Sequence, residues 1–229
     1  MLSANPIDRA EKIPSPGESD HGQASDKDQI ATLVQHFRGY SLYPIVAVAA
    51  YTGARRNEIL ALQWRDLDLV AKTLRIERAL EETKGEPRQG PVRILKGPKK
   101  DSHKRTIAID DSLVALLLSV KERHLRLAAG VSDGAVVDLS LKWRFHEVEG
   151  CQVTNEFEAH ARKLFPKLRF HDMRGSHETA LLDAGVPVHT VASRCGHDPA
   201  TLLRSYAKQT KKADTSAAAV IASMSKGEL

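Results

Sequence analysis

The spacing of apolar residues along the chain predicts helices on both sides of a strand-rich middle. Between Ile30 and Phe37 the apolar positions recur every three or four residues, the period of an amphipathic helix. Ser25 and Asp28 precede them as a capping box, so ordered structure is expected from about residue 25. Further helices are expected at about 42–51, 55–62, 112–128, 154–164, 171–183, 186–194 and 199–208.

The middle of the chain has a different pattern. Residues 73–80, 92–96 and 104–110 are short, rich in β-branched side chains and separated by Gly, Pro and Lys, which is typical of an antiparallel sheet. The expected fold class is therefore α+β and mainly α, with one small three-stranded antiparallel sheet that carries the lysine-rich hairpin between 92–96 and 104–110. The stretch 129–153 has no clear pattern and receives no assignment.

The two ends of the chain differ from the rest in composition. Residues 1–24 are polar and rich in Pro and Gly, which predicts a flexible linker or arm. An Ala-rich stretch at 213–225 could form a terminal helix. The folded domain is expected to span 25–229.

Composition narrows the class of protein only slightly. The chain has 229 residues, 41% of them hydrophobic, with a formal charge of +5 and two cysteines. This is ordinary for a globular protein with no disulfide framework, and no apolar run is long enough for a membrane span. A cytoplasmic location and a mild preference for polyanions are expected.

Two clusters of charged residues stand before and within the strand region. Arg55 follows a break at Thr52-Gly53, and Glu58 lies one helical turn further on, where it could hold the arginine in place. A solvated surface pair would also explain these two residues. The stretch 95–110 contains a lysine-rich turn between two strand-like runs, which is either a solvated hairpin tip or a source of one lysine for a phosphate. Spacing alone does not choose among Lys96, Lys99, Lys100 and Lys104.

A third cluster lies near the C-terminal end. His171 and Arg174 share one helix face, His197 follows a helix-ending glycine, and Tyr206 lies on the next predicted helix. Arginine binds phosphate oxygens, histidine exchanges protons near neutral pH and tyrosine can act as a covalent nucleophile. The clusters together supply what phosphoryl transfer to a tyrosine requires.

Other chemistries fit the sequence less well. The spacings of His171, His177, Cys195 and His197 match no usual zinc site, and Cys195 is expected to be a small buried side chain. The Gly-x-Ser-x-Gly turn of hydrolases and the Gly-rich phosphate loops do not occur. We therefore expect no metal and no cofactor.

Four segments, in order, resemble the catalytic domain of the tyrosine recombinase (phage integrase) family over residues 25–210. They are TGARRNEILALQW, PKKDSHKRTIAID, HDMRGSHETALLDAGV and RCGHDPATLLRSYAK. The first resembles the family's first arginine box and the second its lysine hairpin. The third resembles the His-x-x-Arg box, and the fourth the Gly-His followed by the nucleophilic tyrosine.

The resemblance implies a role for each matched residue. Arg55 and Arg174 would clamp the scissile phosphate, with Glu58 supporting the first arginine. Lys99, the best match for the catalytic lysine, would protonate the departing 5′ oxygen. His171 would assist proton transfer at the tyrosine, and His197 would bind a phosphate oxygen. Tyr206 would attack phosphorus and form a 3′-phosphotyrosine, and His177 has no counterpart, so it is expected to be structural.

The resemblance also implies partners. These are double-stranded DNA carrying a specific recombination site, a homotetramer on DNA with 213–225 docking on a neighbour, and possible accessory DNA-bending or directionality proteins. A bacterial or phage, nucleoid-associated protein is implied. Ala108, Gly175 and Cys195 replace residues commoner in the family. Nothing before residue 25 resembles the family's DNA-binding domain, so a catalytic fragment or a short member is expected.

Two other activities remain open from the sequence. One is a type IB topoisomerase-like enzyme, which would nick and reseal DNA with the same residues. The other is a DNA-binding module that has lost catalysis, against which the complete residue set argues.

Overall fold

The computed structural model describes residues 27–83, 92–97, 104–129 and 150–209, which form eight α-helices and five β-strands. Each helix expected from the apolar period is present, with ends displaced by at most a few residues. The helices are α1 (Lys27–His36), α2 (Tyr43–Thr52), α3 (Arg56–Leu60), α4 (Asp111–Ala129), α5 (Gly150–Ala161), α6 (Asp172–Asp183), α7 (Val188–Cys195) and α8 (Pro199–Gln209).

Helix α2 is the centre of the fold. Its residues from Ile45 to Ala50 are all buried, as expected of a helix that is apolar on every face. Helices α1, α4 and α6 pack around it. The helix ends at Gly53, whose left-handed backbone (φ 64°) favours glycine and lets its N–H donate to Ala49 O over 3.0 Å.

Three phenylalanines join the outer helices to this core. The rings of Phe37 after α1 and Phe157 on α5 stack with their centroids 5.5 Å apart. Phe170, just before α6, packs its edge on Phe157 at 5.2 Å. Such pairs add about 0.5–1.5 kcal/mol beyond the burial itself, and they hold the segment before α6 against α5.

The strands form two small antiparallel sheets. Strands β1 (Leu67–Asp68), β2 (Thr73–Ile76) and β5 (Arg105–Ala108) make a three-stranded sheet in the order β1-β2-β5. Strands β3 (Ala79–Thr83) and β4 (Val92–Lys96) make a separate pair.

The expected segments are all strands, but their pairing is finer than the sequence indicated. The segment 73–80 divides into β2 and β3, and 92–96 pairs with β3 rather than with β5. The division falls at Arg78, which turns to the buried carboxylate of Asp66, with one N–O distance of 2.6 Å. Because the Arg78 side chain pairs with this buried charge, it does not follow the alternation of the strand.

The last helices form a smaller apolar cluster beside the main core. Val191 and Ala192 of α7 and Leu202 of α8 are buried together, and α6 contacts both helices. Gly196 ends α7 in the left-handed region (φ 66°). The two helix ends at Gly53 and Gly196 frame the site described below.

Several expectations concern residues outside the described ranges. These are the linker 1–24, Ser25, most of the lysine-rich turn including Lys99 and Lys100, and the segment 213–225. Among the helices that the structure describes, none is long and apolar enough to cross a membrane.

Candidate active site

The first arginine stands at the break between α2 and α3. Arg55 has an extended backbone (φ −69°, ψ 147°) and caps α3. One Glu58 carboxylate oxygen accepts from the Arg55 backbone N–H at 2.8 Å, and the other accepts from its guanidinium at 2.9 Å. The expected contact between Glu58 and Arg55 is thus present. About a third of the Arg55 side chain is exposed (34%), so a ligand can reach its guanidinium.

A second arginine shares the same carboxylate. Arg105, the first residue of β5, donates to Glu58 through both terminal nitrogens, at 3.1 and 2.7 Å. Its Nε donates to Arg194 O at 2.8 Å. Burial alone would raise the pKa of Glu58, but Arg105 and then Arg55 outweigh it and lower that pKa to about 2. Glu58 is therefore a permanent anion between two cations.

Arg174 ties the two helix breaks together. It is 3% exposed, near the start of α6, and donates to Gly53 O at 2.8 Å and to Cys195 O. Its Nε donates to Nε2 of His197 at 3.0 Å. Arg55 completes the arrangement by donating to Gly196 O at 3.1 Å. Arg55, Arg174 and His197 therefore meet between the ends of α2 and α7.

A buried carboxylate lies behind this group. Glu178, one turn after Arg174 on α6, places Oε1 3.1 Å from Arg174 Nε and 2.9 Å from His197 Nε2. Burial raises the pKa of Glu178, but the close contact with His197 and the Arg174 charge outweigh it, so the net pKa is lowered. Glu178 remains ionised and counterbalances Arg174 inside the fold.

His171 lines a cavity beside this group. It caps α6 and, with Arg55, lines an open cavity of about 420 Å³. Loss of hydration and then the nearby Arg174 charge lower the pKa of His171. A neutral imidazole is the form that can accept a proton. The other lining residues are Arg56, Asn57, Thr154, Glu158, Arg169 and Phe170.

Tyr206 lies apart from the arginines. It is on α8, and its hydroxyl donates to Asp183 Oδ1 at 2.9 Å. Asp183 is the last residue of α6 and Arg174 is near its start. Nine residues of helix correspond to about 13 Å. The structure thus brings together Arg55, Glu58, Arg174 and His197, with His171 beside them, and turns the Tyr206 hydroxyl toward the other end of α6.

His177 and Cys195 take part in the packing between the helices. His177 bonds to Ala50 O at 2.9 Å through Nδ1 and accepts from Arg194 Nε at 3.2 Å. Burial and then the Arg194 charge lower the pKa of His177 to about 4. Cys195 is fully buried, as expected, and burial raises the pKa of its thiol to about 12.

Sequence reasoning missed two residues of this site, Arg105 and Glu178. Arg105 belongs to a strand in which Arg105 and Ile107 alternate on the buried face. This alternation was the only signal in the sequence that the Arg105 side chain points inward. Glu178 was one turn from Arg174, and the i,i+4 spacing was available as a signal. Within the described ranges, no group of three His, Cys, Asp or Glu side chains could hold a metal ion.

Comparison with known proteins identifies a family for this chain. The family model described as "Phage integrase family" matches residues 24–213. A tyrosine recombinase XerC-like protein of Caldanaerobacter subterraneus subsp. tengcongensis is 27% identical over 216 residues, covering 86% of this chain and 54% of that protein. The integrase of Staphylococcus phage L54a is 26% identical over 175 residues, covering 74% and 48%. The chain spans about half the length of these relatives.

Solved structures show the same fold. The integrase of the transposon Tn1549, in complex with transposon right-end DNA, superposes with a TM-score of 0.70 at 18% identity, covering 95% of this chain and 71% of that one. The XerA recombinase superposes with a TM-score of 0.57 at 20% identity, covering 87% and 65%. The match to the family model extends over residues 24–213, which is most of this chain. The chain therefore belongs to the phage integrase family.

Proposed function

We propose that this chain is the catalytic domain of a site-specific DNA recombinase. It cleaves and rejoins DNA strands through a covalent bond between Tyr206 and a 3′ phosphate. The observation that carries the proposal is the convergence of Arg55, Arg174 and His197 between the helix ends at Gly53 and Gly196. Membership of the phage integrase family supports the same reaction.

The electrostatics of this site favour an anionic ligand. Burial and then the neighbouring Arg55 charge lower the pKa of Arg174, because two like charges in one desolvated site disfavour each other. A phosphodiester between them relieves this repulsion through charge-assisted hydrogen bonds. Charge on its oxygens grows in the transition state, and removing one preorganised donor costs about 100-fold or more in rate.

The reaction then exchanges one ester for another. The Tyr206 oxygen bonds to phosphorus, its proton passes toward His171, and the bond from phosphorus to the 5′ oxygen breaks. Lys99, identified from the family resemblance, protonates the leaving 5′ oxygen. Attack by a 5′ hydroxyl on the phosphotyrosine reverses these steps and rejoins a strand. Since each step replaces one phosphate ester with another, no nucleotide is needed as an energy source, and Arg55 and Arg174 supply positive charge to the transition state.

The position of Tyr206 adds one condition to this reaction. Its hydroxyl is bonded to Asp183, about 13 Å of helix from Arg174. Attack on a phosphate held by Arg174 therefore requires Tyr206 to leave Asp183. Movement of α8 on DNA binding or on assembly supplies this change.

The proposed partners follow from the relatives. The Tn1549 integrase was solved with transposon DNA, and the positive charge of this chain (+5) suits a DNA substrate. We propose double-stranded DNA with a specific recombination site as the substrate. A homotetramer on two duplexes is the proposed assembly, with accessory DNA-bending or directionality proteins as further partners.

Trapping of the covalent intermediate tests the proposal. A duplex carrying the recombination site and a nick near the scissile phosphate releases a short fragment after cleavage, so the enzyme stays attached to DNA. The wild-type protein should give an adduct that survives a denaturing gel, while Tyr206→Phe should bind the duplex and give none. Binding without any adduct in the wild type would instead indicate a DNA-binding module without catalysis. Relaxation of supercoiled plasmid without strand exchange would indicate a topoisomerase-like enzyme.

A further inference from the structure

Arg105 is buried at the centre of the site, where its guanidinium is bonded to protein acceptors. Its side chain is 5% exposed, and its nitrogens donate to both oxygens of Glu58 and to Arg194 O. A Cβ atom at Gly196 would lie 3.0 Å from Arg105 Nη1, so the guanidinium is packed against the end of α7. The charge of Arg105 therefore acts first on Glu58, which accepts from both of its terminal nitrogens.

The charges around Glu58 indicate what that effect is. Arg55 and Glu58 alone would form a neutral pair, and a neutral pair attracts a phosphate only weakly. Glu58 bonds to Arg105 through both of its oxygens and to the Arg55 guanidinium through one. The cluster of two arginines and one glutamate has a net charge of +1. Of the two guanidinium groups, only that of Arg55 has a sizeable exposed part.

We propose that Arg105 is a positioning residue that neutralises Glu58, so that the charge of Arg55 remains available to the scissile phosphate. Glu58 can then orient Arg55 through its bonds to the Arg55 backbone and guanidinium, without cancelling the charge of Arg55. Through these contacts Arg105 also anchors the start of β5, the strand that follows the lysine-rich turn. This inference rests on the function proposed above, since it assigns Arg55 to the phosphate.

Charge restoration separates this role from simple packing. Arg105→Met removes the guanidinium and leaves Arg55 and Glu58 as a neutral pair. Adding Glu58→Gln to Arg105→Met removes the opposing charge, so the site regains a net charge of +1. A residue that only fills space would not be rescued by a second substitution that deletes a further hydrogen-bonded charge.

The experiment measures adduct formation on the nicked duplex at saturating protein for the wild type, Arg105→Met, Glu58→Gln with Arg105→Met, and Arg105→Lys. A unit charge about 8 Å from the phosphate, at an effective dielectric constant of about 20, corresponds to roughly 30-fold in rate. Arg105→Met should therefore be about 30-fold slower, and the double variant should regain about tenfold. Arg75→Met, which removes an exposed positive charge from the neighbouring strand β2, should stay within about threefold of wild type.

Three outcomes would overturn the proposal. They are a double variant no faster than Arg105→Met, a control variant as slow as Arg105→Met, or an Arg105→Lys variant as slow as Arg105→Met although lysine keeps the charge. If Arg105→Met fails to fold, as breaking a buried pair can cause, the lysine and double variants decide. Both should then be active, and inactivity of both in folded protein refutes the proposal.

A second measurement keeps this inference separate from the proposed function. Inorganic phosphate should raise the melting temperature of the wild type above that in chloride of equal ionic strength, because it binds only the folded site. The rise should shrink in Arg105→Met and return in the double variant. This pattern without any DNA adduct would support the charge role and sink the recombinase reaction, whereas equal rises in all variants would sink the charge role.

Discussion

The bond between Tyr206 and Asp183 makes a quantitative prediction about the nucleophile. Asp183→Ala removes the acceptor at 2.9 Å and leaves the Tyr206 hydroxyl without this bond. A hydrogen bond to a charged group contributes about 1.5–3 kcal/mol. Because this pair is exposed, we take about 1 kcal/mol, which corresponds to a fivefold larger population of released tyrosine.

Adduct formation in a single turnover on the nicked duplex measures this effect. If release of Tyr206 limits cleavage, Asp183→Ala should react about fivefold faster than wild type. Asp183→Asn keeps an acceptor oxygen but loses the charge, so its rate should fall between the two. Asp28→Ala, which removes a carboxylate from the exposed start of α1, should react at the wild-type rate.

A slower Asp183→Ala enzyme would refute this reasoning. It would mean that the carboxylate takes the tyrosine proton during attack or holds α8 in its reactive position, rather than keeping the hydroxyl away from the phosphate. An unchanged rate would mean that release of Tyr206 is not limiting. Either result would remove the role that we give to this contact.

Three further predictions concern the rest of the site. The free energy of unfolding should fall by about 3 kcal/mol between pH 6.5 and pH 4. The reason is that His177 binds a proton in this range when the chain is unfolded, whereas the folded residue has a pKa of about 4 and stays neutral. Urea titrations should show a flatter pH dependence for His177→Gln. Gly53→Ala should lower the melting temperature and the cleavage rate together, since φ is 64° and the new Cβ would lie 2.7 Å from the His177 ring. Lys99→Ala should slow cleavage far more than Lys100→Ala, and a 5′-bridging phosphorothioate, whose leaving group needs no acid, should rescue it; equal losses would show that another lysine is the acid.

The apolar period was enough to predict the helices, since each buries one face or all faces against the same core. Helix α2 is the clearest case, because a run from Ile45 to Ala50 without polar residues has to be buried. The strand pairing was harder. The division of 73–80 depends on Arg78 meeting buried Asp66, which is a tertiary contact that no local pattern records.

The same difference between local patterns and tertiary contacts applies to the site. Arg55, Arg174 and His197 were predicted as phosphate ligands, and the structure places them together. Arg105 joins Glu58 across 47 positions of sequence, so its place depended on a tertiary side-chain contact that no local pattern records. The position of the Tyr206 hydroxyl depended on the orientation of α8 against α6, which sequence spacing does not fix.

The identity of the residue that bonds to DNA is the most direct test of the proposed reaction. The adduct formed on a nicked duplex can be digested with protease and nuclease, and mass spectrometry then locates the modified residue. We predict a nucleotide 3′ phosphate on Tyr206, in the peptide from α8, and its loss in Tyr206→Phe. A nucleotide on any other side chain, or an adduct that persists in Tyr206→Phe, would contradict the account.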